Sequence, residues 1–312
     1  MGAAGGSGGA GFAITPTVAG STVVNAWDFG DDGDLILGAG TNGAAGIAYE
    51  ITVSSSLSVN IDMWGGGAAS GWYYTVYYPG GNGPGGGGGH TTADVVLNAG
   101  TYTIHVGGGG KSFPIYSSGP SSPSRADYRS GGCPLLWGTE GAGYSGLFKT
   151  ATISQSNAML IAGGGGGGGS SPTYGGVGGA GGGASGAATN GGAQGGYGGT
   201  QSAGGASSPY NSATAGSALS GGTGHTLWGP YASLGGGGAG YYGGGGGNVG
   251  GGGGGSGYID TSDSDITNEV TTAGSANVPG DNSNSRRSGN GSPGAGGTAG
   301  QGHSGLFYMS AN

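Results

Sequence analysis

A long stretch without charged side chains limits what this chain can fold into. Between Lys149 and Asp260 there is no Asp, Glu, Lys or Arg. The same stretch holds Tyr and Trp side chains and unbroken glycine runs at 163–169, 235–238, 243–247 and 250–255. Disordered segments usually lack aromatic residues and carry high net charge, so this stretch does not have their composition. An unpaired charge inside a packed interior is costly, and we therefore interpret the stretch as a packed interior.

Strand-like segments run directly into glycines, at Trp64-Gly65, Val106-Gly107, Ala162-Gly163 and Leu234-Gly235. Polyproline-II-like helices have three residues per turn and no internal hydrogen bonds. When they are buried, their N–H and C=O groups must therefore bond neighbouring segments. Glycine is needed because a Cβ on an inward face would hold the backbones apart, as at the axis of collagen. Collagen itself is excluded, because Pro occurs only 12 times and no long Gly-X-Y run exists.

Alternation of apolar and polar residues predicts strands before the glycine-rich stretch. The predicted strands are Val23–Trp27, Leu35–Leu37, Tyr49–Val53, Leu57–Met63, Val95–Leu97, Thr101–Val106 and Ala158–Ala162. The predicted fold class is mainly β, with an antiparallel β-sandwich joined to a bundle of packed polyglycine-II helices and essentially no α-helix. We assign residues 1–20 to a flexible N-terminal arm, 21–162 to the sandwich with glycine-rich insertions, 163–257 to the polyglycine-II bundle, and 258–312 to a polar loop and a C-terminal strand that packs back on the sandwich.

The charge balance excludes several classes of partner. The net charge is −8, and the whole chain has only six Lys and Arg residues. Nucleic-acid binding needs a basic patch, and membrane-surface binding needs a polybasic segment, so neither partner is expected. No apolar run is long enough to predict a transmembrane helix. The only basic pair, Arg286-Arg287, lies in a polar tract and is interpreted as part of a solvated loop.

Several motifs resemble the glycine-rich domain of phage and marine-virus structural proteins, such as tail-fibre adhesins and capsid appendages. They are Val59–Gly67, Val95–Gly110, Gly143–Phe148, Met159–Gly169 and Gly240–Gly247. The resemblance spans about residues 50–260, and a similar domain occurs outside the cell in some animal receptor tyrosine kinases. It implies a β-sandwich with a packed polyglycine-II bundle. Phage adhesins of this kind bind host-surface receptors with loops at the bundle tip.

Two acidic segments have the oxygen ligands that Ca²⁺ prefers. The first places Asp28, Asp31, Asp32 and Asp34 in a glycine-containing loop, without the glutamate of an EF-hand. The second contains Asp260, Asp263, Asp265 and Glu269. Each is open to two interpretations, a calcium site or a solvated acidic turn. No other cofactor is expected, because the four histidines are scattered and the single cysteine, Cys133, excludes a CxxC site.

Clusters of aromatic residues are candidate partner-binding surfaces, since binding surfaces use Tyr and Trp. The candidates are Trp72, Tyr73, Tyr74, Tyr77, Tyr78, Trp228, Tyr231, Tyr241 and Tyr242. They would stack on sugars or receive a protein surface, and the alternative is that they pack between subunits.

The function expected from these features is structural and non-enzymatic. The leading hypothesis is a virion protein, as a capsid decoration, a fibre or a tail adhesin, that mediates assembly and host-surface attachment. The alternatives are a subunit of a cellular extracellular fibre or matrix, and a receptor-type ligand-binding module. Low charge and long sheet edges favour self-association into a trimer or a larger symmetric array. The expected partners are further copies, other virion proteins and a host-surface glycan or protein, at the virion surface or outside the cell.

Overall fold

A computed structural model describes residues 12–16, 34–39, 46–53, 55–71, 83–112, 138–169, 176–189, 194–209, 212–224, 234–293 and 300–311. In chain order the strands are β1 Phe12–Pro16, β2 Leu35–Gly38, β3 Ile47–Val53, β4 Leu57–Trp64, β5 His90–Leu97, β6 Gly100–Val106, β7 Gly138–Thr139, β8 Ser145–Phe148, β9 Ala158–Ala162, β10 Leu234–Gly235, β11 Tyr258–Ile259, β12 Ile266–Thr272 and β13 Leu306–Ala311. Two short 3-10 helices, Gln155–Asn157 and Ser285–Arg287, lie in this part of the chain, and none of the described residues is α-helical.

Two antiparallel sheets contain most of the strands. The six-stranded sheet has the order β1-β3-β6-β8-β9-β11, and the five-stranded sheet has the order β12-β5-β4-β13-β2. Strands β7 and β10 form a separate parallel pair. The prediction of a mainly β chain with antiparallel sheets and essentially no α-helix is therefore confirmed.

One hydrophobic core joins the two sheets, because alternate side chains of their strands point toward the same cluster. Ile51, Ile104 and Leu160 enter it from the six-stranded sheet, and Ile61 and Phe307 enter it from the five-stranded sheet. All five side chains are completely buried. A second, smaller cluster is built around Tyr144, Phe148 and Ile161, and Leu219 and Ala239 of the glycine-rich region pack against it.

The C-terminal region contains more strand than its sequence predicts. Residues 258–300 are predicted to be a polar loop, but β11 and β12 lie within them. Strand β12 lies at the edge of its sheet, and Ile266 is its only buried side chain. Its sequence therefore has no clear alternation of apolar and polar residues. The predicted strand Val23–Trp27 lies outside the described residues.

Glycine-rich segments leave both sheets at the same end. Trp64, the last residue of β4, pairs with His90, the first residue of β5, and also with Leu306 of β13. In the other sheet, the first residue of β8, Ser145, pairs with Ala162, the last residue of β9. The strand ends next to the glycines are therefore aligned across each sheet.

Candidate functional site

The glycine-rich segments bond one another through their backbones, and we call them together the glycine array. The array consists of residues 65–71, 83–89, 107–112, 138–144, 163–169, 176–189, 194–209, 212–224, 234–257 and 300–305. Most of its residues lie outside strands, yet many backbone N–H groups donate to a carbonyl of another segment. Since the interior of the array is buried, these bonds satisfy groups that would otherwise be costly to bury.

Residues 65–71 show the rule that the array follows. Gly65, Ala68 and Gly71 donate to carbonyls of 83–89, while Gly66 and Ala69 donate to carbonyls of 140–143. Gly67 and Ser70 donate to His303 and Gly300 in a third neighbour. The N···O distances are 2.8–3.3 Å. The partner therefore changes with every residue and returns after three residues.

Residues 163–169 have neighbours on all sides. The N–H groups of residues 164–169 donate in turn to 236–239, 66–69 and 176–179, over N···O distances of 2.8–3.1 Å. Their carbonyls accept from three further segments, which are 83–89, 139–142 and 252–255. This segment is therefore hydrogen-bonded to six separate stretches of the chain, two of which lie within 234–257, and all seven of its residues are buried.

The close approach of the backbones explains why so many positions are glycine. A Cβ placed on Gly66 would overlap the carbonyl oxygen of Gly108, and one on Gly165 would overlap that of Gly86. By contrast, a Cβ on Gly38 in β2 would have no atom within 4 Å. The glycines of the array are therefore required by packing, whereas Gly38 is not.

An ionic network, buried at Asp62 and His90 and exposed at Arg286, lies where the five-stranded sheet meets the array. The carboxylate of Asp62 accepts hydrogen bonds from His90 Nε2 at 2.9 Å and from Arg286 Nη1 at 2.5 Å. Burial would raise the pKa of Asp62, but the hydrogen bonds from His90 and Arg286 outweigh burial and lower it. The rings of Trp64 and His90 are 4.5 Å apart, and the Arg286 guanidinium lies 4.2 Å from the centre of the Tyr308 ring.

This network was missed by the sequence interpretation, which treats Arg286-Arg287 as a solvated pair. Arg286 in fact binds a buried carboxylate, and Arg287 Nη1 donates to Asn290 O and to Ser292 Oγ. The loop that carries both arginines is also joined to the sheet by Trp64 Nε1, which donates to Gly280 O at 3.0 Å. The only feature of the sequence that could have drawn attention to Arg286 and Arg287 is the rarity of basic residues in the chain.

Of the predicted aromatic surface, only Tyr241 and Tyr242 lie within the described residues. Tyr241 stacks on Tyr258, with ring centres 3.9 Å apart and an interplanar angle of 7°. Tyr242 meets Tyr241 edge to face at 5.6 Å. Both side chains are partly buried, and Tyr241 packs against the smaller hydrophobic cluster. Trp72, Tyr73, Tyr74, Tyr77, Tyr78, Trp228 and Tyr231 lie outside the described residues.

Of the first predicted calcium loop, only Asp34 lies within the described residues, and it accepts a hydrogen bond from the Tyr308 hydroxyl. Asp28, Asp31 and Asp32 lie outside the described residues. In the second segment Lys149 Nζ lies 3.1 Å from a carboxylate oxygen of Asp260 and from one of Asp263.

These two carboxylates raise the pKa of Lys149, Asp263 through the largest effect. In the described part of the chain, no group of three or more His, Cys, Asp or Glu side chains is arranged to hold a metal ion.

Compared with models of known protein families and with curated protein sequences, the chain matches none of them. A search of the described residues for a helix long and apolar enough to span a membrane found none.

Proposed function

We propose that the glycine array is a bundle of packed polyglycine-II helices and that the two sheets form a β-sandwich from which the bundle extends. The three-residue return of hydrogen-bond partners supports this proposal, since it matches the three residues per turn of the polyproline-II geometry. The six neighbours of residues 163–169 are those expected for a central helix of such a bundle. The core shared by both sheets supports the sandwich.

On this basis the chain is a non-enzymatic virion structural protein, as a capsid decoration, a fibre or a tail adhesin. The observation that carries the proposal is the hydrogen-bonded array, in which Lys111 and Glu140 are the only Asp, Glu, Lys or Arg residues. Ordering glycine costs more conformational entropy than ordering any other residue. Such an array is therefore suited to a durable, rigid part, for which dense cooperative bonding offsets that cost. The resemblance to glycine-rich structural proteins of viruses is the reason for proposing that the particle is a virion.

In this proposal the protein lies at the virion surface. It self-associates into a trimer or a larger symmetric array, contacts other virion proteins, and attaches to a host-surface glycan or protein. Immunogold electron microscopy of virus particles and cell fractions from the source of the sequence tests this location. Antibodies raised against the folded chain should label particle surfaces. Labelling restricted to free filaments or to a cellular matrix would refute the virion assignment and favour a cellular fibre subunit.

Circular dichroism tests the bundle separately from the location. The folded chain should give a polyproline-II signal together with β signal, and both should be lost in one cooperative thermal transition. A polyproline-II signal that declines gradually, without a transition, would contradict a packed bundle, because solvated polyproline-II segments have no cooperative structure to lose.

A further inference from the structure

A depression of about 240 Å³ lies at the end of the sheets remote from the glycine array. It is lined by residues near the β5–β6 turn, the β8–β9 turn and the β11–β12 turn. Its accessible apolar surface is provided mainly by the partly exposed Val96, which lies beside Tyr102 and Met159 of the main hydrophobic core, both of them buried. The volume is below the range of about 300–1,000 Å³ for drug-sized ligands, so it suits one small ring rather than a peptide.

The polar rim of the depression is held in place by hydrogen bonds between different turns. Asn98 Nδ2 donates to Asp265 Oδ2 at 2.7 Å, and Tyr102 Oη donates to the backbone carbonyl of Asn98 at 3.1 Å. Lys149 joins the β8–β9 turn to Asp263 in the β11–β12 turn. The rim is therefore preorganised, which lowers the entropic cost of binding.

The charges of the rim decide between classes of ligand. Asp263 and Asp265 line the depression and outnumber its single cation Lys149, which also pairs with the nearby Asp260, and this balance disfavours an anionic ligand. The Lys149 ammonium group lies between Asp260 and Asp263, where a divalent cation would otherwise bind them. The remaining class of ligand is a neutral one, and the rim has both hydrogen-bond acceptors and hydrogen-bond donors for it. Within the described residues Asp265 has one carboxylate oxygen without a donor, and Lys149 has an N–H beyond the two used for Asp260 and Asp263.

We infer that this depression binds one neutral sugar ring of a larger glycan. Asp263, Asp265, Asn98 and Lys149 would exchange hydrogen bonds with the hydroxyl groups of the ring, while Val96 would contact one of its C–H edges. The inference deepens the proposed attachment function and rests on it for its biological meaning, since it names the ligand class and the surface that would meet a host glycan. The aromatic residues that the sequence predicts as binding surfaces are not part of this depression.

Saturation-transfer NMR on the full chain tests the inference, with D-glucose, D-galactose, D-mannose and N-acetyl-D-glucosamine as separate probes. At least one sugar should bind, and Asp265→Ala should weaken that binding about fivefold to tenfold through the loss of one hydrogen-bonding group. Glu269→Ala is the matched control, since it removes the same charge from an exposed position in β12 outside the depression. Lys149→Met is a second variant that removes the donor. Melting curves establish that each variant is folded.

The inference is overturned if the folded chain binds none of the four sugars, or if Asp265→Ala and Lys149→Met both bind as the unaltered chain does. Calorimetric binding of calcium chloride that is lost in Asp265→Ala, without any sugar signal, would also overturn it in favour of a cation site. These results are independent of the antibody labelling. A chain that labels virions but binds no sugar retains the proposed function and loses only this inference.

Discussion

Replacing one central glycine of the array by alanine tests whether the array is as tightly packed as its hydrogen bonds indicate. Gly166 lies in the segment that has six neighbours, and its N–H donates to Gly179 O at 2.8 Å. A Cβ added at Gly166 would overlap the carbonyl group of Gly252. The obstacle is backbone and not the end of a flexible side chain, so one of the two segments has to move.

The magnitude follows from the bonds that such a movement strains. Gly252 donates to Gly167 O and accepts from Gly179 N, and Gly166 itself makes two bonds, to Gly179 and from Gly86. Losing two to four bonds of about 1 kcal/mol each costs about 2–4 kcal/mol. Alanine restricts the unfolded chain and returns about 0.4–1 kcal/mol. We therefore expect Gly166→Ala to lower the free energy of unfolding by about 1–3.5 kcal/mol.

Denaturant unfolding followed by circular dichroism measures this loss. The matched control is Gly38→Ala in β2, where the added methyl meets no atom within 4 Å and stability should be unchanged or slightly higher. If Gly166→Ala and Gly38→Ala differ by less than about 0.5 kcal/mol, which is the range of ordinary surface substitutions, the argument for a close-packed array fails.

Two other substitutions test the contacts that surround the array. Asp62→Asn should lower stability at pH 7 by about 1–3 kcal/mol, because Arg286 and His90 lose a charged acceptor. The loss is limited because the Arg286 side chain is 40% exposed and solvent screens its charge. The folded-state pKa of Asp62 is lowered, so its contribution is present above the ordinary value of 3.8 and is lost as the pH falls through the folded-state pKa. Urea unfolding at several pH values should therefore show the gap between Asp62→Asn and the unaltered chain closing in acid, and a gap independent of pH would contradict this. Tyr241→Ala should cost about 1–3 kcal/mol in the same assay, because it removes the stacking on Tyr258, while a loss below about 0.5 kcal/mol would indicate that this contact is not maintained in solution.

Strands with buried alternate residues could be predicted from the sequence, and those without them could not. Leu57–Met63 and Ala158–Ala162 coincide closely with β4 and β9, since their apolar side chains enter a core. Strand β12 exposes most of its side chains, so its sequence reads as a polar loop. Sheet pairing, rather than side-chain pattern, decides its conformation.

The partners within the array could not be predicted for a different reason. A run of glycines is identical at every position, so it contains no information about its own register, and a slip by three residues would restore the same bonding pattern. The register is determined by the strands attached to the segments, such as β4 before Gly65 and β9 before Gly163, whose core side chains allow one alignment. The link between Asp62 and Arg286 was equally hidden, because it joins residues 224 positions apart and no sequence pattern connects the two.

Residues 65–71 of the array are completed by a segment that lies far along the chain. Ser70 bonds to Gly300, 230 residues further along the chain, and β13 lies between β4 and β2 in the five-stranded sheet. During synthesis, residues 65–71 must therefore wait for almost all of the described chain before their third neighbour exists. Folding dominated by such distant contacts is intrinsically slow and leaves incomplete intermediates prone to aggregation. A ribosome making this protein must therefore add residues 300–303 before the segment at 65–71 is complete, so any assembly step that needs this segment follows their synthesis.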